Sequence, residues 1–396
     1  MSVLFTPKNI GPVTIQNRFV RSATCECMAN KNGEVTKDLL NLYSKLSENN
    51  IGLIITGHCF VSKIGKSDEY QIGIHNDNMI NGLKKLVNIV HKNNCKIAIQ
   101  LSHAGLQYGP EIKGKPIAPS SIRSPVTLKK PKKMNEKNIN NTIQEFKDAA
   151  NRAFETGADA VQIHSAHGYL VNEFISPFFN KREDKWGGTD EKRFGFLRKI
   201  ILQIKEVKPS DRAILVKLNT NDYTKKPGIN PNLATKYSKW LKEIGIDAIE
   251  ISCGASHFSY MNIWRGKHPT KEILYAFPKW KRPIIKMIIK KNEGKYYFEK
   301  EYNLDAAKQI KTAVGNLPIM LVGGIRDISN MEKIILNKHA DFLSMCRPFI
   351  KEPDLVEKIK NKNIREASCT SCNKCFAAIT NHMPIACYEK KFPKKS

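Results

Sequence analysis

Glu155-Thr156-Gly157-Ala158-Asp159-Ala160 returns almost unchanged as Glu243-Ile244-Gly245-Ile246-Asp247-Ala248, and more loosely as Asn50-Ile51-Gly52-Leu53-Ile54-Ile55. In each, an amphipathic run stops at a glycine and an apolar run of strand length begins. A glycine closing a helix takes the left-handed conformation that stops it. Helix, glycine and buried strand, repeated, mark parallel βαβ units. Working outward, strands are expected at Phe19–Ala23, Leu53–Gly57, Lys96–Leu101, Ala160–His164, Ala213–Leu218, Ala248–Ser252, Ile319–Val322 and Phe342–Met345. Between them Thr36 can cap a helix whose apolar face is Leu39, Leu40, Tyr43 and Leu46. Further helices are expected through Met79–Asn93, Ile139–Thr156, Phe196–Lys205, Pro231–Ile244, Leu304–Val314 and Ser329–Leu336. Eight such strands predict an α/β chain folded as a (β/α)8 TIM barrel. A doubly wound open sheet needs a nucleotide-binding glycine loop after its first strand. Here Val322-Gly323-Gly324-Ile325 follows the seventh strand and lacks the G-x-G-x-x-G spacing.

The barrel is expected to occupy residues 1–360, with a cysteine-containing tail at 361–396. Two segments interrupt the repeat. One is the Pro- and Lys-rich loop 109–134; the other is 257–302, which carries Trp264, Tyr275, Phe277, Trp280, Tyr296 and Tyr297. Long loops after barrel strands build the active-site face, so both are candidate lids, with packing decoration as the alternative.

The chain's 396 residues, 41% of them hydrophobic, suffice for a large core. No run approaches the roughly 18 apolar residues that span a membrane. Met1–Pro7 has neither a basic start nor a long apolar core, so no signal peptide and a soluble, cytoplasmic protein are expected. The net charge of +28 is spread over nearly every helix, which reads as a solvated lysine-rich surface rather than a nucleic-acid stripe. No membrane or nucleic-acid partner is expected, and a homo-oligomer is compatible with the sequence.

Barrel chemistry lies at the C-terminal ends of the strands. Strand one ends in Ala23-Thr24-Cys25, strand two in Gly57-His58, and strand three in Gln100-Leu101-Ser102-His103. Strand four gives His164-Ser165-Ala166-His167-Gly168-Tyr169, and strand five Lys217-Leu218-Asn219. Strand six gives Ser252-Cys253-Gly254, strand seven Gly323-Gly324, and strand eight Cys346-Arg347. Paired glycines expose backbone N–H groups and Arg347 can clamp a phosphate, which suits a phosphorylated cofactor. Lys217 supplies positive charge beneath it. His164 and His167 lack a third partner at metal-ligand spacing; gripping a carbonyl oxygen as two neutral donors is their better use.

Gln16-Asn17-Arg18-Phe19-Val20-Arg21-Ser22-Ala23-Thr24, Gln100-Leu101-Ser102-His103-Ala104-Gly105 and His164 through Leu170 resemble the old yellow enzyme family. So do Asn172-Glu173-Phe174-Ile175-Ser176-Pro177 and Asn180 through Gly188. The resemblance runs from Phe5 to about Leu355 and is nearest the group containing 2,4-dienoyl-CoA reductase. It implies FMN at the barrel mouth, lined by Ala23, Thr24 and Cys25, with Gly57 at its edge, Gln100 on the ring and Lys217 at the pyrimidine end. It also implies Gly323, Gly324, Cys346 and Arg347 around the phosphate side. His164 and His167 would bind a substrate carbonyl, and Tyr169 would protonate the α-carbon. The implied activity is an ene-reductase passing hydride from NADH or NADPH through FMN to an α,β-unsaturated carbonyl compound. Cys27 stands near the place where some members carry an active-site tyrosine, some have arginine where Lys217 stands, and His257 only loosely matches a further histidine of the dienoyl reductases.

The tail reads Cys369-Thr370-Ser371-Cys372-Asn373-Lys374-Cys375, then eleven residues, then Cys387. Thiolates at this spacing suit a metal centre, either a 4Fe–4S cluster or zinc, with redox-reactive free thiols as the alternative. Dienoyl-CoA reductases carry a similar tail with one more residue between the second and third cysteines. With the sequence ending at Ser396, no further FAD/NADPH domain is expected to feed such a cluster. Two other functions therefore stay open: a flavin/iron–sulfur dehydrogenase subunit relaying electrons to a partner, and a catalytically silent basic binding protein.

Overall fold

All eight expected strands form. They lie at Phe19–Arg21, Leu53–Ile55, Lys96–Ser102, Ala160–Ser165, Ala213–Asn219, Ala248–Ser252, Ile319–Val322 and Phe342–Met345, numbered one to eight below. The structure, a computed structural model, describes residues 2–109, 112 and 114–393; Met1, part of the 109–134 loop and the last three tail residues lie outside the described residues. The strands are parallel and hydrogen-bonded in sequence order, and strand one pairs with both strand eight and strand two. Strand two pairs in turn with strand three, so no strand edge is left open and the sheet is a closed (β/α)8 barrel.

The helices follow from local signals. Thr36 caps Lys37–Ser47 by accepting the Leu39 N–H, as its position before the apolar face predicts. Gly157 (φ +89°) and Gly245 (φ +80°) end their helices in the left-handed region. Gly52 does not: there Asn50 takes the left-handed turn (φ 57°). Gly52 is needed instead for close approach, since a Cβ would lie 2.6 Å from Asn17 Oδ1 and 2.8 Å from Ile15 Cγ2.

The aspartates of the repeat staple neighbouring strands. Asp159 accepts the Ile97 N–H (2.9 Å), Asp247 the Ile214 N–H (2.7 Å) and Asp341 the Ile319 N–H (2.9 Å). Each carboxylate at the foot of an even strand thus satisfies a donor at the foot of the preceding odd one, which the ladder leaves unpaired.

Inside the barrel, alternate residues of each strand face the axis. The lower tier is apolar, with Ala98, Ala160, Ala213, Leu215, Ala248, Met320 and Phe342, and it is plugged by the hairpin Lys8–Ile10/Val13–Ile15. Two residues further along, the same rows become polar: Gln100, Gln162, Lys217, Glu250 and Ser344. This change of character along one strand face makes the floor of a site at the C-terminal end. The outer faces pack against the helices as one large apolar cluster.

The 257–302 insertion and the tail pack on each other. Trp264, Ile273, Ile289 and Ala377 form a separate apolar cluster, flanked by Tyr260, Phe376 and Phe392. The two regions that stand outside the barrel repeat therefore form one cap beside its mouth. Among the described residues, no helix is long and apolar enough to cross a membrane.

Candidate active site

A cavity of about 450 Å³ opens at the C-terminal ends of the strands. Its lining brings together Ala23, Thr24, Cys25, Gln100, His164, His167, Tyr169, Lys217, Cys346 and Arg347 from five different strand ends. Gly57, Gly323 and Gly324 are not in that lining. The Gly57 N–H donates to Tyr43 Oη (3.1 Å), and a Cβ there would lie 1.9 Å from Glu26 Oε2. Gly57 thus admits the buried Glu26 carboxylate, itself held by Arg21 (2.6 Å) and Tyr43 (3.0 Å). At Gly323 a Cβ would meet the Tyr302 ring at 2.6 Å, and at Gly324 it would meet Glu299 O at 2.2 Å. The glycine pair accommodates the returning 299–302 backbone, and Tyr302 lies under the Arg265 guanidinium (4.0 Å).

The cavity floor is a chain of hydrogen bonds. Gln100 Nε2 donates to Gln162 Oε1 (2.6 Å), Gln162 Nε2 to Glu250 Oε2 (2.9 Å), and Ser344 Oγ to Glu250 Oε1 (2.5 Å). Lys217 Nζ donates to Ser22 Oγ (2.9 Å) and lies 3.1 Å from Glu250 Oε2. Parallel register places Lys217 opposite both His164 and Glu250. Lys217 is therefore a paired charge, which its sequence position did not reveal. Burial raises the Glu250 carboxyl, but Lys217 and the hydroxyls of Ser344 and Ser22 outweigh burial and hold it ionised.

Strand four delivers its side chains through a sharp turn. His167 (φ 63°) and Gly168 (φ 78°) are successive left-handed residues. The Gly168 N–H donates to Asn172 Oδ1 (2.7 Å) and the His167 N–H to Asn219 Oδ1 (3.2 Å). At φ 78° a side chain here would strain the backbone, and its Cβ would lie 2.4 Å from Gln107 Nε2, so the glycine of the His-Gly-Tyr motif suits this turn. The turn brings the His164 ring to 5.0 Å from that of His167 and 4.7 Å from that of Tyr169. His167 Nε2 meets Ser252 Oγ at 2.7 Å, while His164 Nδ1 is buried with no protein partner. Burial, reinforced by Lys217 and the neighbouring imidazoles, holds both histidines well below their ordinary range, so both are neutral near pH 7. Burial pushes the Tyr169 phenol up and keeps its proton on.

His58 completes the cluster. Its Nδ1 accepts from Gln71 Nε2 (2.6 Å), which turns Nε2 toward Tyr169 Oη (3.5 Å). His58 stood in the sequence at a strand end without an assigned role. Glu250 and Gln162 were hidden as interior strand residues, and Tyr302, Asn373 and Phe376 reach the cavity from the cap. His257, which also lines it, is paired with Ser124 Oγ (2.9 Å).

The four tail cysteines, Cys369, Cys372, Cys375 and Cys387, all line a second void of about 20 Å³. Arg347 borders this void and the main cavity alike, and donates to Asn373 Oδ1 (2.7 Å) and Arg265 O (2.6 Å). Among the described residues, no three His, Cys, Asp or Glu side chains converge closely enough to hold a metal ion.

The chain is 29% identical over 378 residues to the 4,4'-dithiodibutanoate disulfide reductase of Rhodococcus erythropolis, covering 95% of this chain and 93% of that protein. Its fold is similar to that of 2-naphthoyl-CoA reductase in complex with 2-naphthoyl-CoA (TM-score 0.83, 22% identity), covering 97% of this chain and 56% of that one. This chain thus spans little more than half of that structure's length. It is also similar in fold to morphinone reductase in complex with tetrahydroNAD (TM-score 0.71, 19% identity), covering 93% of each chain. Residues 3–271 and 267–366 match the NADH:flavin oxidoreductase / NADH oxidase family. The match takes in all eight strands and every cavity residue named above that the barrel itself supplies: the chain is an enzyme of the NADH:flavin oxidoreductase family, the old yellow enzymes.

Proposed function

We propose that the protein is an FMN-dependent ene-reductase acting on α,β-unsaturated carbonyl compounds, with NADH or NADPH as hydride donor. The observation that carries this is His164 Nδ1: a buried polar atom without a partner, on a neutral imidazole, beside a neutral phenol, in a cavity. Such an atom is costly unless something completes it. A carbonyl oxygen does so.

The cavity's volume lies within the roughly 300–1,000 Å³ of small-molecule sites, and its polar floor suits a flat heteroaromatic ring. Ala23, Thr24, Cys25, Gln100, Lys217 and Cys346 would hold FMN at its ring, and Arg347 lines the cavity as a cation for its phosphate. When bound, FMN supplies the relay of hydride between nicotinamide and acceptor. The protein's own part is to grip the acceptor oxygen with His164 and His167, drawing electron density from the β-carbon. Tyr169 holds the proton for the α-carbon, and His58 Nε2 positions the phenol.

The tail supports a further component of the same reading. The four tail thiols line one void, and a 4Fe–4S cluster is the centre proposed for them. Arg347, common to both cavities, would then link cluster and flavin sites, which would also serve an electron-relaying dehydrogenase subunit. All ten cysteines are unpaired, which fits a cytoplasmic site of action.

The test is two half-reactions without oxygen. NADH or NADPH should bleach the flavin absorbance, and cyclohexenone should then restore it. Bleaching that no enone reverses, with reoxidation by an artificial electron acceptor, would replace the ene-reductase with the relaying subunit.

A further inference from the structure

We propose that Cys25 and Cys27 form a redox-active thiol pair that reduces small organic disulfides by thiol–disulfide exchange within the barrel cavity. This goes beyond the ene-reductase reading and does not require it: the exchange step uses the chain's own sulfurs, and only recovery of the dithiol calls on the family's reductant. The two Sγ atoms lie 3.1 Å apart and both border the cavity. Closing them to a bond of about 2.05 Å needs only a small side-chain movement.

The local chain is built to hold them so. Glu26, between them, points the other way and is locked by Arg21 and Tyr43, which fixes the backbone on both sides. Cys27 sits at φ 51°, a conformation a non-glycine residue rarely adopts, so the chain bends around the pair. Both cysteines are half-buried, in contrast to the buried Cys59, Cys95 and Cys253. Around them stand His58, Ser67, Asp68 and Tyr169.

The two sulfurs are not equivalent. A hydrogen bond from Cys27, against the effect of burial and with help from His58, pulls the Cys25 thiol down to about 6, and Cys27 is pushed well up by the same contact. Cys25 is therefore the attacking thiolate and Cys27 the resolving thiol. Cys25 Sγ attacks one sulfur of the substrate R–S–S–R′, the substrate S–S bond breaks, and R′S⁻ leaves and takes up a proton. Cys27 then loses its proton to His58 or water and attacks Cys25 Sγ, expelling RS⁻, which is protonated. The pair ends as a disulfide, oxidised by two electrons, and the substrate as two thiols. Restoring the dithiol takes a hydride, which the family's reductant, NADH or NADPH with bound FMN, would supply, and a proton from solvent.

Arg21 and Lys31 bracket both cysteines in one tryptic peptide, residues 22–31. Reduced, desalted holoprotein is mixed anaerobically with 2-hydroxyethyl disulfide without nicotinamide, quenched with iodoacetamide, and this peptide is weighed. Expected are loss of both thiol hydrogens and of both alkylation sites, and recovery of both sites when NADH or NADPH follows. Cys27→Ser should stop at a hydroxyethylthio adduct on Cys25, and Cys25→Ser should form no disulfide within this peptide. The proposal is overturned if the wild-type peptide stays fully alkylated, if it ends as a stable mixed disulfide, or if nicotinamide fails to restore its thiols. Enone turnover does not enter this readout, so a failed ene-reductase reading and a failed exchange reading are told apart.

Discussion

Lys217 Nζ and Glu250 Oε2 face each other at 3.1 Å on the cavity floor, each side chain all but sealed from solvent. The pair delivers a dipole, not a bare cation, to whatever lies above it. Glu250→Gln keeps the shape and strands the ammonium. Breaking a buried pair this way costs ~3–5 kcal/mol, so urea unfolding should show a loss of that order. Bound FMN should become easier to reduce, since the uncompensated charge favours its anionic reduced form. A variant as stable as the parent, with an unshifted potential, would mean Glu250 is protonated and the pair is not ionic.

His164→Ala should leave FMN content nearly intact, because the imidazole takes no part in the hydrogen-bond chain of the floor. Losing a hydrogen bond to a group that then stays buried and unpaired costs ~1–3 kcal/mol. KM for an enone should rise and reoxidation of the reduced protein should slow by about tenfold to a hundredfold. Reoxidation at the parent rate would move the oxygen grip to His167 and Ser252.

Acid stability should report on Asp159. Burial alone would raise this carboxyl, but hydrogen bonds from His91, the Ile97 N–H and Lys96 outweigh it and hold the group below its usual range. A lowered folded value stabilises the protein fully above the unfolded value of about 3.9 and fades as pH falls below it. The stability difference between the parent and Asp159→Asn should therefore be largest near neutrality and shrink below about pH 3.9. A difference that stays constant across that range would show that the carboxylate's charge plays no part in the staple.

Anaerobically reconstituted protein should carry about four iron and four sulfide per chain. Cys372→Ser should abolish both, while the flavin content stays. Stoichiometric zinc, or no metal at all, would leave the tail thiols to another chemistry.

The barrel was legible because its signals are local: Gly157 and Gly245 stop helices, and the apolar runs after them alternate with amphipathic ones. The strand-four cluster was legible too, since three polar side chains follow one strand in a barrel whose chemistry sits at strand ends. What escaped depends on partners far apart in sequence. Glu250 meets Lys217 only because strands five and six align in that register. Gly323 and Gly324 read as a phosphate cradle through their N–H groups; that the segment around Tyr302 packs on their Cβ side was not legible. Gly52 read as a helix stop, but Asn50 does that work and Gly52 makes room for Asn17. The tail read as an appendage; it packs on the 257–302 insertion and reaches the cavity.

Tyr169→Phe is the most direct test of the reaction assigned to this cavity. It keeps the ring contacts with His164 and His58 at 4.7 and 5.1 Å and removes the phenolic proton. Proton donation of this kind is worth ~10²–10⁴-fold. Stopped-flow absorbance, without oxygen, should show flavin reduction by NADH or NADPH at close to the parent rate. Reoxidation by cyclohexenone should fall by about that factor, while a nitroalkene, whose product anion is stable, still reoxidises the protein. Undiminished reoxidation by the enone would contradict the account, and so would a collapse of the nicotinamide half-reaction with the enone half intact.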